Sequence, residues 1–422
     1  MLLVDVWEEH LDEAVFRWEQ WERALVAPDA TLSETAEREE RLLGNLEGLA
    51  EREALDAVVR PAFDSEEAAR ISVATHALLS QGVVDEVVSR LRGAEVESRA
   101  AMRRALEVSE VTRVSTAVES LLKTGDLDLQ AHVLEVLAFR QSASPEVLGR
   151  YLLHDEPRAR IAALGGARPL PEELARKVLP ALLDSAHPGI RLAAMEAGLT
   201  AGLRMGWEAC IKEARKAEAS SPEAMMLLAL GGGEEDTDFL VGLAKEDALR
   251  AEALWALGFS GRLAAMEVCA RLLHVPRVAR LAGEAFSAMT GLELEGPYAL
   301  LEGEEPEESD DPEAELTVRP EDDLPWPNVS AVRGWWEEAR SRFVKGQRYL
   351  LGKPFSGAVL LEALETSSMR RRHVLARELS IRTKGQHVIP TRAFTARQRE
   401  ALSRARGARL VLGSGPLVST LR

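Results

Sequence analysis

Asp155-Glu156-Pro157 leads into Arg160-Ile161-Ala162-Ala163-Leu164-Gly165, and this stretch decides how the whole chain is read. An acidic residue followed by proline suits the first turn of a helix. There a side-chain oxygen caps orphan amides and a missing N–H costs nothing. Alanines, a leucine and then glycine describe a thin helix that packs closely and stops. The same run returns as Arg70-Ile71-Ser72-Val73-Ala74, Arg99-Ala100-Ala101-Met102, Arg191-Leu192-Ala193-Ala194-Met195, Arg250-Ala251-Glu252-Ala253-Leu254 and Arg280-Leu281-Ala282-Gly283-Glu284. Gln130-Ala131-His132-Val133-Leu134 and Met225-Met226-Leu227-Leu228 fill the two remaining slots, so successive starts lie 25 to 34 residues apart. A period near thirty with no strand signal means antiparallel helix pairs stacked side by side.

Punctuation between the runs agrees. Asp64-Ser65, Asp126, His187-Pro188, Ser221-Pro222 and Asp247 are expected to start second helices, and Gly82, Gly202, Gly231, Gly258 and Gly291 to close helices in a left-handed conformation. The arginines Arg70, Arg99, Arg160, Arg191, Arg250 and Arg280 form a structural lattice expected to bridge neighbouring repeats. The architecture implied is all-α. The acidic or proline cap, arginine, small residues, leucine and glycine resemble the short HEAT repeats of phycobilisome-lyase-type proteins. That resemblance implies a HEAT-like α-solenoid, an α-α superhelix, over residues 54–295, with about eight helix pairs from residue 56 onward.

Outward from the repeats the chain changes character twice. Residues 1–53 read as a helical cap whose first helix carries Trp7, Leu11, Ala14, Trp18, Trp21 and Leu25 on one stripe. That stripe is expected to pack on the first repeat or to form a dimer seam. Residues 296–329 are an acidic linker with several prolines, too poor in apolar residues to fold alone. Residues 330–422 form a basic helical region with one further repeat-like helix pair between Gly357 and Arg382, Arg372 standing in the lattice position. An apolar, β-prone stretch, Leu410-Val411-Leu412-Gly413, is expected either to dock back or to lie loose.

Charge follows the same division. The net charge of −17 conceals 19 Lys and Arg against 6 Asp and Glu from Arg333 onward, leaving about −30 for the rest. The acidic stretch from Glu302 to Asp323 is therefore a candidate strap over the basic region, the alternative being a solvated basic cap. The two cysteines, Cys210 and Cys269, lie alone in helical patterns and indicate neither a disulfide framework nor a metal site. No basic leader precedes the acidic N-terminus, and no apolar run of 18 residues exists, so no signal peptide or membrane span is expected and the location expected is cytoplasmic.

A closer resemblance rests on Arg41-Leu42-Leu43-Gly44-Asn45-Leu46-Glu47-Gly48-Leu49, Gly283-Glu284-Ala285-Phe286-Ser287-Ala288-Met289-Thr290-Gly291-Leu292, Trp335-Trp336 and Gly346-Gln347-Arg348-Tyr349-Leu350-Leu351-Gly352-Lys353. Across nearly its whole length the chain is similar to a proteobacterial, myxobacterial-type HEAT-repeat family whose genes lie near type VI secretion accessory genes. No catalytic residues are defined for that family, so the resemblance implies none here.

Candidate chemistry is sparse. Gly346 to Lys353 has five residues between its glycines and Pro354 after the lysine, so it lacks the spacing and the Ser or Thr of a phosphate loop, and a structural loop between helices is expected. The eight histidines show no metal-ligand spacing, and no Gly-x-Ser-x-Gly elbow exists. No catalytic, cofactor or metal residues are assigned. The unusual feature is Arg370-Arg371-Arg372-His373 with the arginines around it. Trp335, Trp336, Arg340, Arg348, Tyr349, Arg370, Arg371, Arg372 and Arg377 are the residues expected to meet a partner, an acidic protein or a secreted effector. The strongly acidic repeats argue against nucleic acid. The expected function is a non-catalytic protein-binding scaffold or adaptor, which the family resemblance implies is an accessory factor for effector loading or a related step in type VI secretion. The alternative is a HEAT-repeat enzyme of lyase or DNA-glycosylase kind, or a nucleic-acid binder, using the groove.

Overall fold

The computed structural model describes residues 2–216, 222–301, 303, 304, 306 and 319–422. Among the described residues there are 22 α-helices and one two-stranded hairpin, the all-α class of stacked helix pairs expected from the period. The chain divides into two compact units.

The first unit comprises Met1–Val26, Ala30–Ala197 and Ile389–Ala401. Helices α1 (Leu2–Ala24) and α2 (Leu32–Gly48) pack on one another, and α3 (Arg52–Ala54) runs into a π-turn at Leu55–Val59. Then follow α4 (Ala68–Ser80), α5 (Val84–Gly93), α6 (Val96–Val108), α7 (Arg113–Glu119), α8 (Leu127–Phe139), α9 (Pro145–Tyr151), α10 (Pro157–Gly166), α11 (Glu172–Leu183) and α12 (Pro188–Thr200), in which the division falls. Successive members α4, α6, α8 and α10 lie side by side, and the alanines of the repeats, Ala74, Ala105, Ala131 and Ala163 among them, are buried along that seam. Small side chains let the helices approach, and burial of the leucines between them stabilises by roughly 2 kcal/mol each.

All six stripe residues of α1 are buried within the unit. Trp18 meets the edge of Trp21 at 5.3 Å and His76 of α4 at 5.9 Å, and Trp21 donates to Glu39 at 3.2 Å. The remaining cover comes from the far end of the chain. Phe394 stacks on Trp21 at 4.7 Å and meets His76 edge-on at 5.4 Å. Beside it, the Thr395 amide and hydroxyl donate to the Glu39 carboxylate at 2.8–2.9 Å. Burial pushes the Glu39 carboxyl up, and these donors oppose the push.

The second unit comprises Ala27–Asp29, Gly198–Val388 and Leu402–Arg422. It contains α13 (Arg204–Ala214), α14 (Pro222–Gly231), α15 (Glu234–Leu243), α16 (Arg250–Leu257), α17 (Leu263–Leu272), α18 (Pro276–Thr290), α19 (Val329–Ala339), α20 (Gly357–Thr366) and α21 (Met369–Arg382). Helix α22 (Thr395–Gly407) starts in the first unit's segment and ends in the second. Helices α14, α16 and α18 again lie side by side. The hairpin β1 (Tyr349–Leu350) and β2 (Lys353–Pro354) turns through Leu351 and Gly352, both at positive φ. Its amides are spent on the repeats: Tyr349 donates to Gly261, Leu351 to Ala288 and Gly352 to Met289, at 2.8–3.0 Å. The loop that superficially resembles a phosphate cradle thus presents those amides to carbonyls.

Two expectations need correction. Arg160, Arg191 and Arg250 donate to carbonyls of their own hairpin's loop (His154; Ser185 and Ala186; Ala244 and Lys245). An arginine in the first helical turn sits beside the end of the preceding helix, whose last carbonyls lack partners, so the guanidinium caps them. Gln130 does the same toward Thr124, and Arg372 toward Leu364. Arg99 does bridge repeats, to Asp126 at 2.7 Å and Asp128 at 3.0 Å, Arg70 reaches back to Asp12, and Arg280 reaches Asp322. The second correction concerns glycine. Gly82, Gly202 and Gly291 have positive φ, but Gly231 ends α14 without one, and Gly258 is right-handed at φ −59°. Its bareness serves packing: a Cβ there would lie 2.9 Å from Ala285.

The expected β-prone stretch contains no strand, and Val411 is fully exposed. Docking is done instead by Leu417, buried against Gly231, and by Arg422, whose backbone pairs with Gly202 and Arg204 at 2.8–2.9 Å. Ser221 and most of the acidic strap, 302, 305 and 307–318, lie outside the described residues.

Candidate functional site

The residues expected to meet a partner are mostly inside the second unit. Arg348 is 4% exposed and donates to the carbonyls of Leu230, Phe259 and Ser260 and to both oxygens of Glu378. Arg382 shares Glu378 at 2.6 Å and also donates to Leu230. Both guanidinium groups lie over the Phe355 ring. Burial works against the charge on Glu378, yet Arg348 and Arg382 together hold its carboxyl below the usual range. Arg372 is fully buried, with Nε on Leu364 and Nη1 on the Met369 sulfur. Trp336 and Tyr349 are buried in an aromatic run with Phe286 and Phe343, and Trp335 is half-buried beside them. Arg377 is half-buried, and Arg340 is exposed but paired with Glu267. The basic surface expected for an acidic partner is therefore largely an internal network. Five guanidinium N–H groups can cap carbonyls of several helix ends at once, which rewards burying arginine where hairpins converge.

Arg370 and Arg371 lead to a different place. Arg370 lies over Trp255 at 4.1 Å and faces Glu284 at 3.7 Å and Glu321 at 3.5 Å, so the described end of the acidic strap does reach the basic helix. Arg319 and Asp322 fix that end on α18, Arg319 donating to the Arg277 carbonyl at 3.0 Å and Arg280 to that of Asp322 at 2.9 Å. Arg371 lies over Phe259 at 4.1 Å and donates Nη2 to Gly258 at 2.7 Å.

Beside these two side chains opens a cleft of about 550 Å³. Helix α18 lines it with Arg280, Glu284, Ser287 and Ala288, and the start of α21 with Ser368 and Arg371. Glu362 and Thr366 of α20, Glu293, Glu295, Leu324 and Pro325 complete the rim. What distinguishes this cleft is unspent hydrogen-bonding capacity. Both carboxylate oxygens of Glu284, Arg371 Nη1, Arg280 Nε and Ser368 Oγ are buried atoms with no hydrogen-bond partner. Glu284 is 8% exposed and Arg371 4%. Burial pushes the Glu284 carboxyl up against the pull of Arg371 and Arg370, and burial pulls the Arg371 guanidinium down to about 10. The two opposite charges thus compensate one another incompletely, which makes the cleft the candidate site of this unit.

Glu284 carried a signal in the sequence. At the same place six of the seven other repeats carry a buried apolar residue, Ala74, Leu134, Leu164, Met195, Ala229 and Leu254, and the seventh carries the half-buried Arg103. A carboxylate at an apolar lattice position is a local conflict of the kind that functional sites retain. The arginine facing it comes from the C-terminal helix pair, and no spacing rule connects the two.

Elsewhere, both cysteines are buried, and burial pushes their thiols up, that of Cys269 to about 12. Among the described residues no group of three His, Cys, Asp or Glu is placed to hold a metal, and no helix is long and apolar enough to cross a membrane.

Comparison with known proteins adds little to this geometry. No family model matches the chain, and no curated protein matches it. Among solved structures, YibA of Escherichia coli is similar at 13% identity and a TM-score of 0.39, over 58% of this chain and 95% of that one.

Proposed function

We propose that the chain is a non-catalytic binding module, a scaffold that holds a segment of another protein in the cleft between α18 and α21. One observation carries the reading. Unsatisfied acceptors on Glu284 and unsatisfied donors on Arg371, Arg280 and Ser368 line the same cleft. A peptide offers both signs of partner within one residue, its N–H and C=O. Stacked helix pairs supply a rigid frame for such a site. On the family resemblance, the partner would be a secreted effector or part of its loading machinery, with this chain as adaptor. Against a nucleic-acid reading, Arg372 and Arg382 of the basic stretch are spent on internal partners.

The test is site-specific photocrosslinking. Thr366, exposed on the rim, and Val411, exposed on the tail, are each replaced by p-benzoylphenylalanine in the full chain in producing cells. A protein crosslinked from position 366 and absent from position 411 supports the reading. Equal crosslinking from both, or none from 366, overturns it.

An enzyme reading has one observation of its own, the raised carboxyl of Glu284 in a cleft, which is the form a general acid takes. Mass spectrometry of the captured partner separates the two. An adaptor returns it unchanged, whereas an enzyme returns it altered and ceases to do so as Glu284→Gln.

A further inference from the structure

The unspent groups of the cleft are not symmetrical, and their arrangement specifies what the partner segment brings. Glu284 keeps two acceptor oxygens free of any donor in a place that is 8% exposed. The nearest cation is Arg370, whose Nη1 stands at 3.7 Å, beyond hydrogen-bond reach and itself without a hydrogen-bond partner; its guanidinium lies over the Trp255 ring at 4.1 Å, and Nη1 faces Glu321 at 3.5 Å. A buried carboxylate left without donors is costly, and a ligand donor with positive charge removes that cost with a strong, charge-assisted hydrogen bond. The approach is also acidic. Glu293 and Glu295 stand exposed on the rim, while the rim's one lysine, Lys353, is held by Glu362 at 2.6 Å.

The donors that remain are of another kind. Arg371 Nη1 and Ser368 Oγ lie at the start of the 14-residue helix α21, and neither has an acceptor. Arg371 cannot turn away to find one, because its guanidinium is fixed on the Phe259 ring and on the Gly258 carbonyl. Gly258 itself leaves the room: a Cβ there would approach Arg371 Nη1 to 3.3 Å.

Resting on the binding-module reading, we propose that the cleft takes a lysine or arginine side chain of the partner segment. Its cation sits on Glu284, and a carbonyl of the same segment accepts from Arg371 Nη1 and Ser368 Oγ. The partner is basic at this point, the reverse of the acidic partner that the arginine-rich C-terminal sequence suggests.

Three blocked pentapeptides test this by calorimetric titration of the full chain: acetyl-Ala-Ala-X-Ala-Ala-amide with X as Arg, Lys or Gln. The cationic peptides should bind at least tenfold more tightly than the glutamine one. Glu284→Gln should abolish that preference while leaving binding of the glutamine peptide in place. Ser368→Ala, which removes a hydroxyl with no partner, should weaken all three peptides several-fold and keep the preference. Exposed Glu293→Gln should reduce the preference in part, and it decides the matter if Glu284→Gln loses its cooperative melting transition. Equal binding of the three peptides, or a preference that survives Glu284→Gln, overturns the cation site. An unchanged affinity in Ser368→Ala overturns the carbonyl half. If no peptide shows a charge preference but crosslinking from position 366 still captures a partner, the cation site falls and the binding module stands. If crosslinking fails as well, both fall.

Discussion

Phe394→Ala measures how far the amino-terminal unit depends on a segment whose neighbour, Thr395, lies 356 residues from its partner Glu39. Phe394 is 5% exposed, stacks on Trp21 at 4.7 Å and 26°, and presents itself to the edge of His76 at 5.4 Å. Truncating a buried phenylalanine to alanine costs about 3–5 kcal/mol, and the ring pairs belong to that figure rather than adding to it. A further loss follows if the segment loosens, because Glu39 would give up two donors, the Thr395 amide, shared between both its oxygens, and the Thr395 hydroxyl. An under-satisfied buried carboxylate costs about 1–3 kcal/mol. The expected total is about 5 kcal/mol against the amino-terminal unit, with Phe394→Leu costing about 1 kcal/mol because most of the volume remains. Hydrogen exchange followed by mass spectrometry is the appropriate assay. Protection should fall in 389–401 and in the helices carrying Trp21, Glu39 and His76, while peptides from α16 to α18 keep theirs. A loss below 0.5 kcal/mol, or a loss of protection spread evenly over the chain, would refute the claim that this segment completes the core of the first unit.

Three further outcomes are expected. Arg348→Met leaves Glu378 buried with Arg382 alone and should cost about 3–5 kcal/mol in urea unfolding of the second unit; the triple variant Arg348→Met, Glu378→Leu, Arg382→Met should recover more than half of that. His76 is held neutral by burial, which drops its imidazole to about 4, against about 6.5 unfolded, so its contribution is complete above pH 6.5 and is lost as pH falls toward 4. Between pH 8 and pH 5 that loss is about 2 kcal/mol; His76→Leu should lack it, and a urea midpoint that drops equally in parent and variant would contradict the assignment. Gly231→Ala places a Cβ 2.5 Å from Leu417 and 2.7 Å from Trp207, so it should lower the melting temperature and speed proteolysis of the tail, whereas in a Leu417→Ala background the same change should cost markedly less.

The repeats were legible because their signals are local. Asp126 accepts from the Leu129 amide at 3.0 Å, and Glu156 with Pro157 opens α10, as their sequence contexts indicate. Gly258 looked like Gly82 and Gly291 yet takes a right-handed conformation, because a glycine in a helix-end context does not reveal whether φ or a neighbour requires it. The stripe of tryptophans in α1 announced that something covers it. Its spacing could not indicate that Phe394 does so.

The arginines draw the same boundary. By itself the amino-acid sequence determined the class of fold, the period of the helix pairs and the apolar seam, since each rests on signals read within a turn or two and repeated along the chain. Only the tertiary structure decided that Arg348 caps carbonyls 88 to 118 residues away and meets Glu378 across 30, that Arg371 stops beside Glu284, and that the cleft between α18 and α21 faces solvent with acidic rather than basic groups on its rim. The reason is physical. An arginine side chain is long enough to reach solvent or several helix ends, and its destination is set by which carbonyls and carboxylates the packing leaves without partners.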